Sequence, residues 1–530
     1  MPARGGRDSG PGLHLALAHF SAGRLAEAET SCRAALMLQP RQAQALQILG
    51  AIALQRGNPD AAIGHFRSAI AAAPRAREAH SNLAAALLAK DQVQEAIAAL
   101  KLAIKIDPNY APALINMGDA LVKLDRPREA IDVLKRAVAL APADAKAHSN
   151  LGAALMGLKD FDAAIQALQK AISLSPGLAQ AHDNLGTAYH ALGRLEEAVA
   201  SHSRALELLP AFPKARSQRA MLLLALGRFS EGWRDYLDRP STRKTSVPLH
   251  RQPLGADLTG LRILLGKDQG LGDEIMFLRF APELKRRGAH ITYVAGAKIL
   301  SLLQRYPILD VVVDTVADDK AHLAQWDLVA SVADLPYLLG MSSVGDIPLS
   351  ISIPVLPDRL AAQRAALAAL GPPPYVGVTW RGGINEKEKL FKLAPMERIG
   401  AVLRQVRGTL IGLQRLPEKG EINRMAKAAG RPVHDFTPLH DRLEDMLALL
   451  SLLDEYVGVS NTNVHLRATV GRGSRVLIPS PPEFRWMASG SPSPWFPDCP
   501  VYRQRADGSW DDALSNLSRD LVATLGEAAP

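Results

Sequence analysis

Two short polar stretches, 270–274 and 460–465, have the residue types and spacing of a ligand site. The first reads Gly270-Leu271-Gly272-Asp273-Glu274. Gly270 and Gly272 let a backbone approach a ligand closely, and a helix starting there points free N–H groups at it. Asp273 stands at the expected helix start. Its carboxylate is either an N-cap or a general base that removes the proton of an acceptor hydroxyl. The second stretch reads Ser460-Asn461-Thr462-Asn463-Val464-His465. A helix N-terminus carrying Ser460, Asn461 and Thr462 suits a diphosphate, and the same side chains also serve as ordinary caps. His465 lies one turn further on, as a buried structural imidazole or as a contact to phosphate or sugar. Lys389 and Lys392 stand in a charged run between the two stretches. Each is either a solvated surface lysine or a cation that neutralises a departing diphosphate.

These stretches need elements to hold them. After Pro240 short apolar runs alternate with helical segments. Strands are expected at 261–265, 291–294, 311–313 and 328–330, with a helix over 274–287. A second set is expected at 376–380, 410–413, 456–459 and 476–478. Alternating strand and helix implies parallel sheets with covering helices. The two sets part near Gly371-Pro372-Pro373-Pro374, which implies two Rossmann-like lobes, 259–371 and 372–530. Ligands of such sheets sit beyond the carboxyl ends of the strands, so both polar stretches fall where a ligand would bind.

The first half of the chain is periodic. Pro40, Pro74, Pro108, Pro142, Pro176 and Pro210 stand 34 residues apart. Small residues recur at fixed offsets, as in Ala28, Ala62, Ala96, Ala130, Ala164 and Ala198, where two helices would cross closely. The period and these positions resemble tetratricopeptide repeats, helix-turn-helix units that stack into a superhelix and hold partners. Six full repeats and a degenerate seventh, through Phe229, Trp233 and Tyr236, are expected over 9–239. Residues 240–258 are expected to be a linker and residues 1–8 a disordered start. Asn82, Asn116, Asn150 and Asn184 recur at one repeat position. A row of amides can pair with the backbone of an extended peptide whatever its sequence, or can tie neighbouring repeats together. The row resembles the one lining the groove of the protein O-linked N-acetylglucosamine transferases. His80, His148 and His182 are expected to be packed or solvated, since successive repeats hold them too far apart to share a metal ion.

The second half carries a further resemblance. Gly270 to Glu274 followed by Phe280-Ala281-Pro282-Glu283-Leu284, then Gly377-Val378-Thr379-Trp380-Arg381-Gly382, Leu413-Gln414-Arg415 and Ser460 to Leu466 resemble heptosyltransferase-like glycosyltransferases. Pro481 to Trp486 and Ser493 to Pro497 are similar to the tail of bacterial proteins that join tetratricopeptide repeats to such a domain. The resemblance covers about 260–522. It implies a GT-B fold with the donor nucleotide sugar in the second lobe, Asp273 as base, and Lys389, Lys392, Gln414, Ser460, Asn461, Thr462 and His465 around the donor. Ser460 replaces an aspartate of the family's loop. No DxD stands in the catalytic half. Asp160 and Asp162 lie in the repeats and Asp318-Asp319 in a loop, so transfer without a metal ion is expected.

Composition sets the remaining bounds. The chain has 530 residues, is 48% apolar and carries a formal charge of +9 without a long basic run. Nucleic-acid binding is therefore unsupported. There are two cysteines, no zinc spacing, no signal-peptide pattern and no 18-residue apolar run, so a cytoplasmic location is expected. The combined expectation is an α-helical repeat superhelix followed by a two-lobed α/β domain. It would transfer sugar from a nucleotide donor, as substrate and with no cofactor, to a protein held in the repeat groove. The rival expectations are a non-catalytic scaffold with a degenerate domain, and a transferase acting on a lipid-linked glycan.

Overall fold

The computed structural model describes residues 11–243, 247–268, 270–316, 323–382 and 393–528. The Gly- and Arg-rich start, Asp318-Asp319, Lys389 and Lys392 lie outside the described residues. By compactness the chain forms two units, residues 1–189 with 207–209 and residues 190–206 with 210–530.

The first unit is a series of antiparallel helix pairs. The helices Ala43–Gln55 and Pro59–Ala72 form one pair, Ala111–Lys123 and Pro127–Leu140 another. Every second helix stops two residues before its proline, for instance Leu25–Leu38 before Pro40 and Val93–Ile106 before Pro108. Residues ahead of the prolines are extended, with Gln39 at φ −136°, ψ 84°, because the proline ring disfavours helical geometry there. The small residues allow close crossing. A Cβ placed on Gly118 would lie 2.4 Å from Leu134 Cγ, and one on Gly50 would lie 2.5 Å from the Phe66 ring.

The second unit holds two parallel sheets. The first contains β1 (Arg262–Gly266), β2 (His290–Val294), β3 (Val311–Val313) and β4 (Leu328–Ser331), in the order β3-β2-β1-β4. The second contains β5 (Tyr375–Val378), β6 (Thr409–Gly412), β7 (Val433–Asp435), β8 (Glu455–Val459), β9 (Arg475–Ile478) and β10 (Val501–Arg503), in the order β10-β9-β8-β5-β6-β7. Each sheet reverses its winding once, between β1 and β4 in the first and between β5 and β8 in the second. Such switch points are where parallel α/β sheets open a crevice at their carboxyl edge.

Three expectations change. The helix expected over 274–287 is broken into Leu271–Phe277, a tight turn Leu278–Phe280 and Ala281–Arg286, because Pro282 has no N–H to continue the ladder. The 240–258 segment is bound rather than free: His250 N donates to Val329 O, Leu254 N to Leu338 O and Leu258 N to Arg287 O, each at 2.7 Å. The last helix pair, Pro213–Ala225 and Phe229–Tyr236, belongs to the sheet-bearing unit. Trp233, 1% exposed, packs edge-on against Phe277 at 5.9 Å, Phe484 at 5.8 Å and Trp495 at 6.0 Å.

The repeat geometry predicts opposite outcomes for two glycines. Gly118→Ala forces a methyl into Leu134 and should cost about 1–3 kcal/mol. Gly64→Ala, in the exposed interior of Pro59–Ala72 with nothing within 4 Å, should gain roughly 0.5–1 kcal/mol. Denaturant unfolding of the two variants, followed by far-ultraviolet circular dichroism, measures both.

Candidate functional site

The carboxyl edges of the two sheets meet at one charged cluster. Asp273 sits in the first turn of Leu271–Phe277, directly after the loop that leaves β1. Glu483 and Arg485 lie in the loop that leaves β9, and Ser460 directly follows β8. Arg485 Nη2 donates to Asp273 Oδ1 at 2.5 Å. Arg485 Nε lies 3.4 Å from Glu483 Oε2, and Ser460 Oγ donates to that same Oε2 at 3.0 Å. The four residues form a continuous chain from one sheet to the other. Burial works against the Arg485 charge, but Asp273 and Glu483 outweigh it and raise its pKa above the ordinary arginine value. The neighbouring Glu274 turns the other way. It is buried and accepts from Tyr293 Oη at 3.0 Å and Gly296 N at 3.3 Å, and burial raises its pKa.

Gly270 and Gly272 frame this helix start. Gly270 is the residue before the helix, and its O accepts from Glu274 N at 2.9 Å. Gly272 faces His465: a Cβ there would lie 3.0 Å from His465 Cδ2. His465 is 2% exposed and stands edge-on to Phe496 at 5.1 Å. It stands as a buried wall between the two loops.

Two of the other residues expected around a donor, Asn461 and Gln414, are committed to the fold. Asn461 caps Thr462–Thr469, its Oδ1 accepting from Asn463 N at 3.0 Å and Val464 N at 3.4 Å. Its Nδ2 reaches Thr379 Oγ1 at 2.8 Å, which ties the ends of β8 and β5 together at the switch point. Thr462 begins that helix and is partly exposed. Gln414, 1% exposed, accepts from Trp380 N and Arg381 N at 3.2 and 3.1 Å and donates to Arg381 O and Arg415 O. It shapes the loop after β5, with the buried pair Arg381–Glu421 at 2.9 Å beside it.

At the first sheet's switch point the chain supplies its own occupant. Arg239, 1% exposed, pairs with Asp268 after β1 and Asp334 after β4, the latter at 2.5 Å, and donates to Ser331 Oγ at 3.0 Å. Burial raises the Asp334 pKa despite the arginine. Sequence reasoning assigns no role to Arg239, Arg485 or Glu483. The signal is present only as Pro481 to Trp486, whose function depends on a partner 212 residues away.

The asparagine row is partly used for stacking. Asn116 Nδ2 donates to Ser81 Oγ at 3.2 Å, Asn150 Nδ2 to Ile115 O at 3.3 Å, and Lys146 Nζ donates to Asn116 Oδ1 at 3.1 Å. Asn184 Oδ1 accepts from Gln180 at 3.0 Å. Asn116 and Asn184 are buried, and Asn82 and Asn150 are half-buried. His80, His148 and His182 donate from Nε2 to the carbonyls of Pro74, Pro142 and Pro176 at 2.9, 2.9 and 3.0 Å, which makes them repeat-closing bonds.

Comparison with known proteins places the first part of the chain. One tetratricopeptide repeat family model matches residues 49–111 and 115–179, and another matches 181–216. This part is a set of tetratricopeptide repeats, a class of protein-interaction scaffold. Protein FlbA of Caulobacter vibrioides is 26% identical over 318 residues, covering 56% of this chain and 53% of FlbA. The chain spans about half the length of that relative. Among solved structures, the thermophilic tetratricopeptide protein TTC0263 of Thermus thermophilus is 28% identical, covering 34% of this chain and 99% of its own, with a TM-score of 0.32. MamA of Desulfovibrio magneticus RS-1 is 27% identical over 32% of this chain and 96% of its own, with a TM-score of 0.27. YrrB, a tetratricopeptide protein with an unusual peptide-binding site, is 22% identical over 35% and 95%, with a TM-score of 0.27. Among the described residues no helix is long and apolar enough to cross a membrane.

The inter-repeat bonds predict a stability effect. Replacing Asn116 and Asn150 together by Ala should lower the stability of the repeats by about 1 kcal/mol per bond. A fall in the melting temperature of the helical signal checks this, and an unchanged value assigns the row to something other than stacking.

Proposed function

We propose that the chain is a glycosyltransferase of GT-B type that moves a sugar from a nucleoside-diphosphate donor to a protein held by the repeats. One observation carries this. Asp273, at the carboxyl edge of the first sheet, stands in one charged chain with Arg485, Glu483 and Ser460 at the carboxyl edge of the second. Two parallel sheets with facing carboxyl edges suit a donor on one side and an acceptor on the other. The acceptor hydroxyl oxygen bonds to the anomeric carbon as the bond from that carbon to the diphosphate oxygen breaks. The nucleoside diphosphate leaves with the electron pair, and the hydroxyl proton passes to the Asp273 carboxylate. Thr462, the loop around Ser460 and Asn461, and Lys389 and Lys392 would surround the donor. Gln414 and His465 would hold that loop in shape.

Glu483 brings back the carboxylate that Ser460 lacks. Ser460 stands where the resembling family has an aspartate, and Glu483 brings a carboxylate to Ser460 Oγ at 3.0 Å. A second function, a scaffold with an inert domain, is favoured by Asn461 and Gln414 being spent on capping and loop support.

The test uses the full-length chain with chelator present. Calorimetry with UDP, GDP, CDP and ADP should find one that binds. Turnover of the corresponding nucleotide sugar should fall by about 100-fold or more in Asp273→Asn, while the fold survives because Asn has the shape of Asp and the helix N-cap is Gly270, not Asp273 as the sequence alone allowed. Undiminished turnover removes Asp273 from the base role.

A further inference from the structure

The cluster contains a cation whose bonds are unfinished. Arg485 is 8% exposed, so its guanidinium was removed from water, and every N–H left unbonded there costs stability. Yet its buried Nε has no hydrogen-bond partner. Glu483 Oε2, at 3.4 Å, is close enough to attract it but is not placed to accept that N–H. Arg305, Arg431 and Arg475 share an unbonded buried Nε, but two fully buried arginines differ. Arg279 donates to the carbonyls of Met276 and Trp495 at 2.9 and 2.7 Å and to Ser350 Oγ at 3.2 Å. Arg467 donates to the carbonyls of Gly473, Leu450, Leu453 and Asp454. Both are finished structural clamps.

Arg485 also has a fixed base and a partly open side. Phe484 lies beneath the guanidinium, 5.4 Å from ring centre to Cζ, and is wedged against Trp233, Tyr236 and Trp495. The backbone at 485 is therefore held, and only the side chain has to turn. Glu483 and Asp273 keep 23% and 15% of their side-chain surface in solvent, so an anion can reach the cluster. The pairing also poses a chemical problem. The carboxylate oxygen Asp273 Oδ1, which would have to face the acceptor hydroxyl, is already occupied by the Arg485 N–H at 2.5 Å.

We infer that Arg485 is shared between two anions: it rests on Asp273 when no donor is bound and turns to the diphosphate of the donor when one is. This builds on the glycosyltransferase assignment above. The planar guanidinium has the fork geometry for a phosphate. Its transfer would neutralise the leaving group and at the same time release the Asp273 carboxylate to take the acceptor proton. Base activation would then require the donor to bind first.

The experiment measures affinity in the full-length chain for whichever of UDP, GDP, CDP and ADP binds, and for the matching nucleoside. Arg485→Gln should weaken the diphosphate by about 10- to 100-fold and leave the nucleoside within about twofold. Asp273→Asn removes the competing charge and should tighten the diphosphate roughly three- to tenfold, although it abolishes transfer. A diphosphate affinity that is unchanged or weakened in Asp273→Asn overturns the inference and leaves a static brace, and this arm stands alone if Arg485→Gln does not fold. Binding in the wild type with no response to either variant also overturns it while leaving the transferase assignment intact. No binding of any of the four diphosphates by the wild type removes both.

Discussion

The sheet-bearing unit depends on where one indole sits. Trp233 comes from the last helix of the repeat series, yet its ring is enclosed by Phe277 from the first sheet's leading helix and by Phe484 and Trp495 from the second sheet's closing loops. Phe277 ends the helix whose first turn carries Asp273, and Phe484 adjoins Arg485. The aromatic contact that joins this last helix to both sheets thus also fixes the two halves of the charged cluster. Edge-to-face pairs constrain ring angle as well as distance, so the contact orients the loops as well as binding them.

Buried arginines hold the irregular parts. Loops leave carbonyl oxygens without the partners that a helix or sheet would supply, and those oxygens must be satisfied when buried. Arg279, Arg467 and Arg503 meet that need, and burial among neutral acceptors pulls their pKa values down, to about 10 for Arg279 and Arg467. Arg239 and Arg485 are the other kind. Each lies against two carboxylates, and its pKa is raised despite burial. The two kinds separate structural clamping from charge-bearing positions.

Much of the architecture was legible because it is local. A proline every 34 residues and alanine at fixed offsets act within one helix pair, so they show without tertiary knowledge. Eight of the strands are apolar runs and were expected. β7 and β10 were not: each is a three-residue edge strand like β3, but Val433-His434-Asp435 and Val501-Tyr502-Arg503 lack the apolar run of Val311-Val312-Val313. The capping role of Asn461 and the close approach at Gly272 also follow from residue type and position. Arg485 was illegible for the opposite reason: its partner Asp273 lies 212 residues earlier. Arg239 reads in sequence only as the end of the repeats, because nothing near it shows the two carboxylates it meets.

The segment after the repeats has a protective consequence. β4 is an outer strand of its sheet, with a row of main-chain groups open to pairing. His250 N covers part of that row by bonding Val329 O, and Leu249 lies beside Val329 in the same hollow. An uncovered strand of this kind invites another chain to add on, which is how sheets grow into aggregates. The stretch between repeats and sheets is therefore a chaperone built into the polypeptide, and a polypeptide beginning at 259 would be prone to self-association through β4 however intact its charged cluster remained.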